Sequence, residues 1–202
     1  MADSANIFVL SGSPRKNGAT AALLDVFFES VKEIKNCRIT TSVLDSYQLN
    51  VKPCIHCGAC KKKFACIHDD FSLIDNAVNT ADLLVVSSPV YCLSFPAPLK
   101  AIFDRCQKYF EAKFSLKIDP VKKHKNVLLL SAYGSNDPRG VSIMEEQLML
   151  VCKALNASFV KTITAGNTDL YAPDLKAAKF EIAAFLREQA FLPAKDTSAK
   201  AP

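Results

Sequence analysis

The sequence predicts an α/β protein built on a doubly wound, five-stranded parallel sheet with helices on both faces. Three observations carry that prediction. Short apolar runs of strand length alternate along the chain with longer stretches whose apolar residues recur at helical spacing. The first run ends in a loop of glycine, hydroxyl and cationic residues that opens directly into a helical pattern. Finally, 202 residues, half of them hydrophobic and 22% charged, suffice for one core and leave no room for a second large domain. Residues 1–193 are expected to form one domain, and residues 194–202, small and polar, a disordered tail.

Residues 6–10 supply the first strand, and residues 19–34 follow as a helix with Leu23, Leu24, Phe27, Val31 and Ile34 on one face. Ile39, Val43 and Leu44 mark a second strand over residues 38–45. Asp69 and Asp70 can start a helix in which Phe71, Ile74, Ala77 and Val78 share a face. Residues 82–88 form a continuous apolar, β-branched run, as a strand buried on both faces requires. The next helix spans residues 96–113, with Pro96 and Pro98 in its first turn, where a missing N–H costs least. A fourth strand over residues 126–132 precedes a helix at about 140–154, a strand at about 158–163 and a closing helix at about 174–190.

No apolar run approaches the roughly 18 residues of a membrane span, and the N-terminus lacks the pattern of an export signal. A soluble, cytoplasmic protein is expected. There, eight cysteines read as ligands and buried apolar residues rather than as a disulfide framework. The formal charge of +5 comes partly from Lys61-Lys62-Lys63 and Lys122-Lys123-His124-Lys125. Such a balance suits anionic small molecules or acidic redox partners. Neither cluster interleaves with aromatic residues or accompanies a recognition motif, which disfavours nucleic acid and leaves solvated loop faces as the ordinary reading.

In parallel sheets of this kind, ligands bind beyond the carboxyl ends of the strands. Three loops belong there: residues 11–18, the segment Pro89-Val90-Tyr91-Cys92-Leu93, and the segment from Ala132 through Tyr133 and Gly134 to Asn136. Together they can line one pocket. The first offers helix N-terminal N–H groups, the hydroxyls of Ser11, Ser13 and Thr20, and the cations Arg15 and Lys16, which are groups that bind a phosphate dianion. It is not a nucleoside-triphosphate loop, because five residues separate Gly12 from Gly18 and Ala19 follows where that motif needs lysine. A plain strand-to-helix turn is the alternative.

Cys54, Cys57, Cys60 and Cys66 make a C-x2-C-x2-C-x5-C run. Thiols so closely spaced can wrap one compact multinuclear centre. Zinc usually takes two C-x2-C pairs separated by a longer spacer, so this run suits it less well, and an empty or disulfide-prone loop is a further alternative. His56 and His68 stand beside the thiols and read as loop residues. Cys37, Cys92, Cys106 and Cys152 occur singly in apolar contexts, as small buried hydrophobes do. Asp104 and Arg105 read as an ion pair on a helix face.

With the first loop, Pro89-Val90-Tyr91 and Pro98-Leu99-Lys100-Ala101-Ile102-Phe103-Asp104-Arg105 in view, the chain resembles the NADPH-dependent FMN reductase family of flavodoxin-like proteins over roughly residues 6–135. The cysteine run followed by Asp69-Asp70 is similar to its iron-sulfur flavoprotein branch. That resemblance implies a homodimer or homotetramer with FMN and a [4Fe-4S] cluster held by Cys54, Cys57, Cys60 and Cys66. It implies that Ser11, Ser13, Arg15, Asn17 and Thr20 hold the FMN phosphate, and that Pro89, Val90, Tyr91 and Cys92 lie along the isoalloxazine. The third loop departs from the branch, reading Tyr133-Gly134-Ser135-Asn136 where a Gly-Gly stretch is usual. The implied activity is electron transfer between a reduced donor, NAD(P)H or ferredoxin, and an acceptor, with no catalytic side chain required. A flavin or quinone reductase without a cluster, a non-catalytic electron carrier and a metal-binding module stand as alternatives.

Overall fold

Every strand lies parallel to its neighbours in the computed structural model, which describes residues 4–189. The strands are β1 (Ser4–Ser11), β2 (Arg38–Asp45), β3 (Leu83–Pro89), β4 (Lys125–Ala132) and β5 (Ala157–Ala165), in the order β2-β1-β3-β4-β5. This is the flavodoxin-like form of the doubly wound fold, as expected.

The continuous apolar runs follow from burial on both faces. Ile7, Val9, Leu83, Val85, Leu128 and Leu130 point into one layer, where they meet Leu23 and Phe27 of α1 (Ala19–Lys32) and Ile182 and Phe185 of α7 (Leu175–Arg187). The alternate residues Phe8, Leu10, Leu84, Val86, Val127 and Leu129 point into the other. That layer is completed by α3 (Ser72–Thr80), α4 (Ala97–Arg105), α5 (Gln107–Phe114) and α6 (Arg139–Ala154). Burying each such aliphatic side chain is worth about 1.5–3 kcal/mol, and the buried polar residues of β3 and β4, Ser87, Ser88, Lys125 and Ser131, stand towards the strand ends. The edge strands β2 and β5 alternate in exposure instead, and β5 carries a register shift opposite Val127 and Leu128.

Four elements differ from the sequence reading. A short helix, α2 (Ser46–Leu49), follows β2, and the Asp45 carboxylate caps it by accepting from the Tyr47 N–H at 2.9 Å. The stretch expected as one helix at 96–113 is divided at Cys106 into α4 and α5. Asp69 and Asp70 do not start α3, which begins at Ser72 with no side-chain cap, because the Asp70 carboxylate is engaged elsewhere. The closing helix ends at Arg187. The tail at 194–202 lies outside the described residues. Among the described residues no helix is long and apolar enough to cross a membrane.

Because strand order reverses at β1, the carboxyl ends of β1 and β3 flank the crevice where such sheets take ligands. Leu99 of α4 packs against the first residue after β1, so closely that a Cβ on Gly12 would lie 2.4 Å from Leu99 Cδ2. Gly12→Ala is therefore expected to destabilise the fold by about 1–3 kcal/mol through overpacking. A double-mutant cycle with Leu99→Ala, read by urea denaturation, should show that cost falling by more than about 0.5 kcal/mol; strict additivity would refute the contact.

Candidate functional site

Backbone pairing continues past the strand ends and lays three loops side by side. Gly12 N–H donates to Ser87 O at 2.7 Å, Val90 N–H to Ala132 O at 2.9 Å, and Tyr133 N–H to Ala165 O at 3.0 Å. The residues after β1, β3 and β4 thus leave one edge together, and Ser11, Pro89 and Ala132 stand at the ends of adjoining strands.

In the first loop Arg15, Lys16 and Asn17 are exposed, Ser11 and Ser13 half-buried, and Thr20 buried. Ser13 Oγ accepts from the Arg15 N–H at 3.3 Å, which bends the loop over the start of α1. That helix begins after Gly18 with no side-chain cap and no acidic residue in its first turn. Its leading N–H groups and positive dipole end therefore remain available to an anion. Ser87 Oγ, at the adjoining end of β3, is buried with no hydrogen-bond partner.

The second loop folds back as a tight hairpin. Tyr91 and Ser94 exchange two N–H···O bonds of 2.9 Å, with Cys92 (φ 49°) and Leu93 (φ 62°) both left-handed at its tip. Cys92 is exposed rather than the small buried hydrophobe expected, because the tip faces away from the core. Tyr91 stands beside Tyr47 of α2, whose phenol is pushed up by burial, with the neighbouring Tyr91 and Asp45 adding to it. The third loop is braced by residues 166–171, where Asn167, Thr168 and Asp169 donate to the carbonyls of Ser135, Tyr133 and Gly134. Tyr47 and this bracing segment were missed by sequence reasoning. Neither carries a local motif.

Cys54, Cys57, Cys60 and Cys66 line a second pocket, whose opposite wall is formed by Arg105, Lys108 and Glu111. All four are free thiols, Cys54 and Cys57 exposed and the other two half-buried. His56 (φ 52°) and Gly58 (φ 74°) adopt left-handed conformations between them and wind the loop tightly. Burial pushes the Cys60 thiol up, and its neighbours Glu111, Cys54 and Cys66 add to that rise. The thiols share a pocket without converging: among the described residues no three His, Cys, Asp or Glu side chains are gathered closely enough to hold a metal ion.

Arg105 fixes the neck of this loop. It is only 2% exposed. Its guanidinium donates to Lys52 O at 2.9 Å and to His68 O at 3.4 Å, and pairs with Asp70 Oδ1 at 2.9 Å. Asp70 in turn accepts from the Lys52 N–H at 2.8 Å. The segments entering and leaving residues 54–66 are thereby tied to one side chain. Burial raises the Asp70 carboxyl, but the Lys52 N–H and Arg105 outweigh it and hold the group below its ordinary value. The expected Asp104–Arg105 pair does not form; Asp104 accepts from Lys100 at 2.6 Å, since their i, i+4 spacing keeps both on the exposed face while Arg105 turns inward. Lys108 pairs with Asp75, which also accepts from the Tyr109 hydroxyl, and its ammonium lies against Phe64 and Phe71 at 5.3 and 5.1 Å from the ring centroids.

The remaining cysteines and lysines divide by burial. Cys106 and Cys152 are buried as expected, and burial pushes both thiols up to about 12. Cys37 is half-buried. The cluster at residues 122–125 is not wholly a solvated face. Lys125 is 1% exposed at the start of β4, its ammonium bonded to the Lys123 carbonyl, and burial brings it down to about 8.

Residues 5–168 match the model of the NADPH-dependent FMN reductase family. Among curated proteins, the chain is 36% identical over 109 residues to an iron-sulfur flavoprotein of Methanosarcina thermophila, covering 54% of this chain and 56% of that one. It is 31% identical over 99 residues to an iron-sulfur flavoprotein of Archaeoglobus fulgidus, covering 48% and 44%. The matches thus span about half the length of these relatives. Among solved structures, an NAD(P)H:quinone oxidoreductase from Methanothermobacter marburgensis superposes with a TM-score of 0.69 at 19% identity, covering 90% of this chain and 94% of that one.

Because the folded-state value of Asp70 lies below the unfolded one, its contribution is complete above the ordinary aspartate value of about 3.9 and is lost as pH falls through the depressed value. Asp70→Asn should therefore be less stable than wild type at pH 7, with the difference in urea midpoint closing as pH falls below the ordinary aspartate value. Arg105→Met should cost about 3–5 kcal/mol and speed tryptic cleavage at Lys61-Lys62-Lys63. Unaltered cleavage in that variant would refute the neck.

Proposed function

Because this chain belongs to the NADPH-dependent FMN reductase family, we propose that it is an FMN-dependent oxidoreductase. In this reading it passes electrons between a reduced donor, NAD(P)H or ferredoxin, and an acceptor by way of a [4Fe-4S] cluster on Cys54, Cys57, Cys60 and Cys66. The observation that carries the reading is the alignment of three loops along one sheet edge, beside a helix N-terminus with neither cap nor acidic first turn.

These residues fit the flavin's phosphate and ring. The leading N–H groups of α1, the hydroxyls of Ser11, Ser13 and Thr20, the Asn17 amide and the cations of Arg15 and Lys16 would receive the phosphate. Pro89, Val90, Tyr91 and Cys92 would flank the isoalloxazine on one side and Ala132, Tyr133 and Gly134 on the other. Bound FMN supplies hydride acceptance at N5 and stepwise release of electrons, and an iron-sulfur centre exchanges them singly. The chain's own part is to hold the ring against the β1–β3 switch point and to shield its face with Tyr91. No general acid or base is assigned to a side chain. The four thiols fit a cluster in donor chemistry, being free, confined to one pocket and faced by cationic side chains. Their spread within that pocket favours a second reading, an NAD(P)H-dependent flavin or quinone reductase without a cluster.

The donor and acceptor are small molecules or redox proteins, not nucleic acid or membrane, and the working form is a cytoplasmic homodimer or homotetramer. Two outcomes test the assignment. Arg15→Ala combined with Ser13→Ala should weaken FMN binding about 10- to 100-fold while leaving riboflavin affinity unchanged, as read by flavin fluorescence; equal loss for both ligands would remove the phosphate from the first loop. Cys57→Ala should abolish iron and acid-labile sulfide in anaerobically prepared protein yet retain flavin, whereas full iron retention would exclude Cys57 from the ligand set.

A further inference from the structure

One exposed segment of the chain is basic throughout. From Ser46 to His68 the sequence carries four lysines and no aspartate or glutamate; Asp45, which caps α2, and the exposed Asp69 bound it. Lys52, Lys61, Lys62 and Lys63 are all exposed, and none forms an ion pair among the described residues. The carboxylates behind them are engaged inward. Asp70 pairs with Arg105 and Asp75 with Lys108, while Glu111, which Lys61 approaches, accepts from the Gln107 amide at 2.9 Å and from the Ser115 hydroxyl. Large apolar side chains that the core does not take stand among the lysines. Ile55 and Ile67 are 62% and 54% exposed and line one pocket with Lys61, and the exposed Phe64 directly follows Lys63. A solvated basic turn has no need of such residues, whereas an apolar centre within a charged rim is the build of a protein-docking surface. The segment leaves directly from α2, whose Tyr47 stands beside Tyr91 of the crevice.

Resting on the oxidoreductase reading above, with or without a cluster, we propose that Lys52, Lys61, Lys62 and Lys63, with Ile55 and Ile67 at their centre, form the docking surface for an acidic one-electron carrier protein that serves as donor. Such carriers must leave as readily as they arrive, so their encounters bury little area and draw on charge for speed and orientation. Lysines without counter-charges of their own supply that long-range attraction. A small anion fits the surface less well, because of the four lysines only Lys61 lines the pocket. Each encounter oxidises one carrier by one electron, and two encounters, with protons from solvent, reduce one bound flavin.

Protein loaded with FMN would be mixed anaerobically, in stopped flow, with a reduced acidic [2Fe-2S] ferredoxin and separately with dithionite. Lys62→Glu combined with Lys63→Glu should lower the second-order rate of flavin reduction by ferredoxin about 10-fold or more at low salt and flatten its decline with ionic strength. The dithionite rate should stay within about twofold of wild type. Lys62→Gln combined with Lys63→Gln, which removes charge without adding repulsion, should give an intermediate fall. Lys122→Glu combined with Lys176→Glu makes the same change in net charge at exposed positions elsewhere and should keep most of the wild-type rate. An equal fall in that control would reduce the effect to net charge and overturn the surface, as would an unchanged ferredoxin rate in both loop variants. Either result leaves the oxidoreductase reading intact. Wild-type flavin that dithionite reduces but ferredoxin does not would overturn the carrier as occupant. Loss of retention on immobilised single-stranded DNA by the charge-reversed loop variant, with its ferredoxin rate unchanged, would give the face to nucleic acid. Failure of wild type to bind FMN would overturn the oxidoreductase reading itself, and this inference with it.

Discussion

Arg105 is nearly inaccessible to solvent, and its partners at Lys52, His68 and Asp70 lie in segments outside the sheet and the long helices. A guanidinium buried alone would be severely penalised, and the penalty is relieved only when its donors find acceptors of good geometry. Asp70 supplies the opposite charge, two backbone carbonyls take further N–H groups, and the Phe71 ring lies 5.2 Å from the guanidinium carbon. The arrangement converts a long excursion between β2 and α3 into a closed loop with a fixed base. The loop then meets α5 through Phe64, whose ring lies 5.5 Å from that of Tyr109 and 5.3 Å from the Lys108 ammonium.

The same helical track joins the two candidate sites. α4 starts just beyond the Tyr91–Ser94 hairpin at the carboxyl edge of the sheet, and α5 continues it past Cys106 to the wall of the thiol pocket. At about 1.5 Å per residue, the path from Ala97 to Lys108 is on the order of 16 Å. The break at Cys106 has a local cause. Cys106 N–H is shared between the Ile102 and Phe103 carbonyls, tightening the last turn of α4 just where Arg105 turns inward to the loop neck.

What the sequence disclosed follows from which contacts are local. β1, β3 and β4 were legible because burial on both faces gives each a continuous apolar run, and the first loop was legible because strand, hydroxyls, cations and helix start are contiguous. Cys54, Cys57, Cys60 and Cys66 announced a shared pocket through spacing alone. Arg105 and Asp70 did not announce each other: their separation of 35 residues carries no period, whereas Asp104 beside Arg105 offered a plausible but wrong neighbour. Lys125 was hidden in the same way. Its position in a basic run suggested solvent, but the first residue of a central strand lies inside, and its ammonium reaches back to the Lys123 and Leu155 carbonyls.

Among the described residues seven non-glycines have left-handed backbone, all outside the strands and helices, and two of them stand together at the crevice. Cys92 and Leu93 are consecutive non-glycine residues in the left-handed region, each disfavoured by roughly 1–3 kcal/mol. Such a turn persists only where its surroundings over-determine it. Here the reciprocal Tyr91–Ser94 bonds close it, Ser94 Oγ meets the Gln147 side chain of α6 at 3.3 Å, and Phe95 packs edge-on against Phe103 at 4.8 Å. The buried Phe95 anchors the hairpin to the core layer. Glycine at the tip would relieve the strain but loosen the hairpin, because its unfolded state gains backbone freedom. The strained, bulkier pair therefore fixes the backbone of the second loop at the carboxyl edge of the sheet more firmly than glycine would.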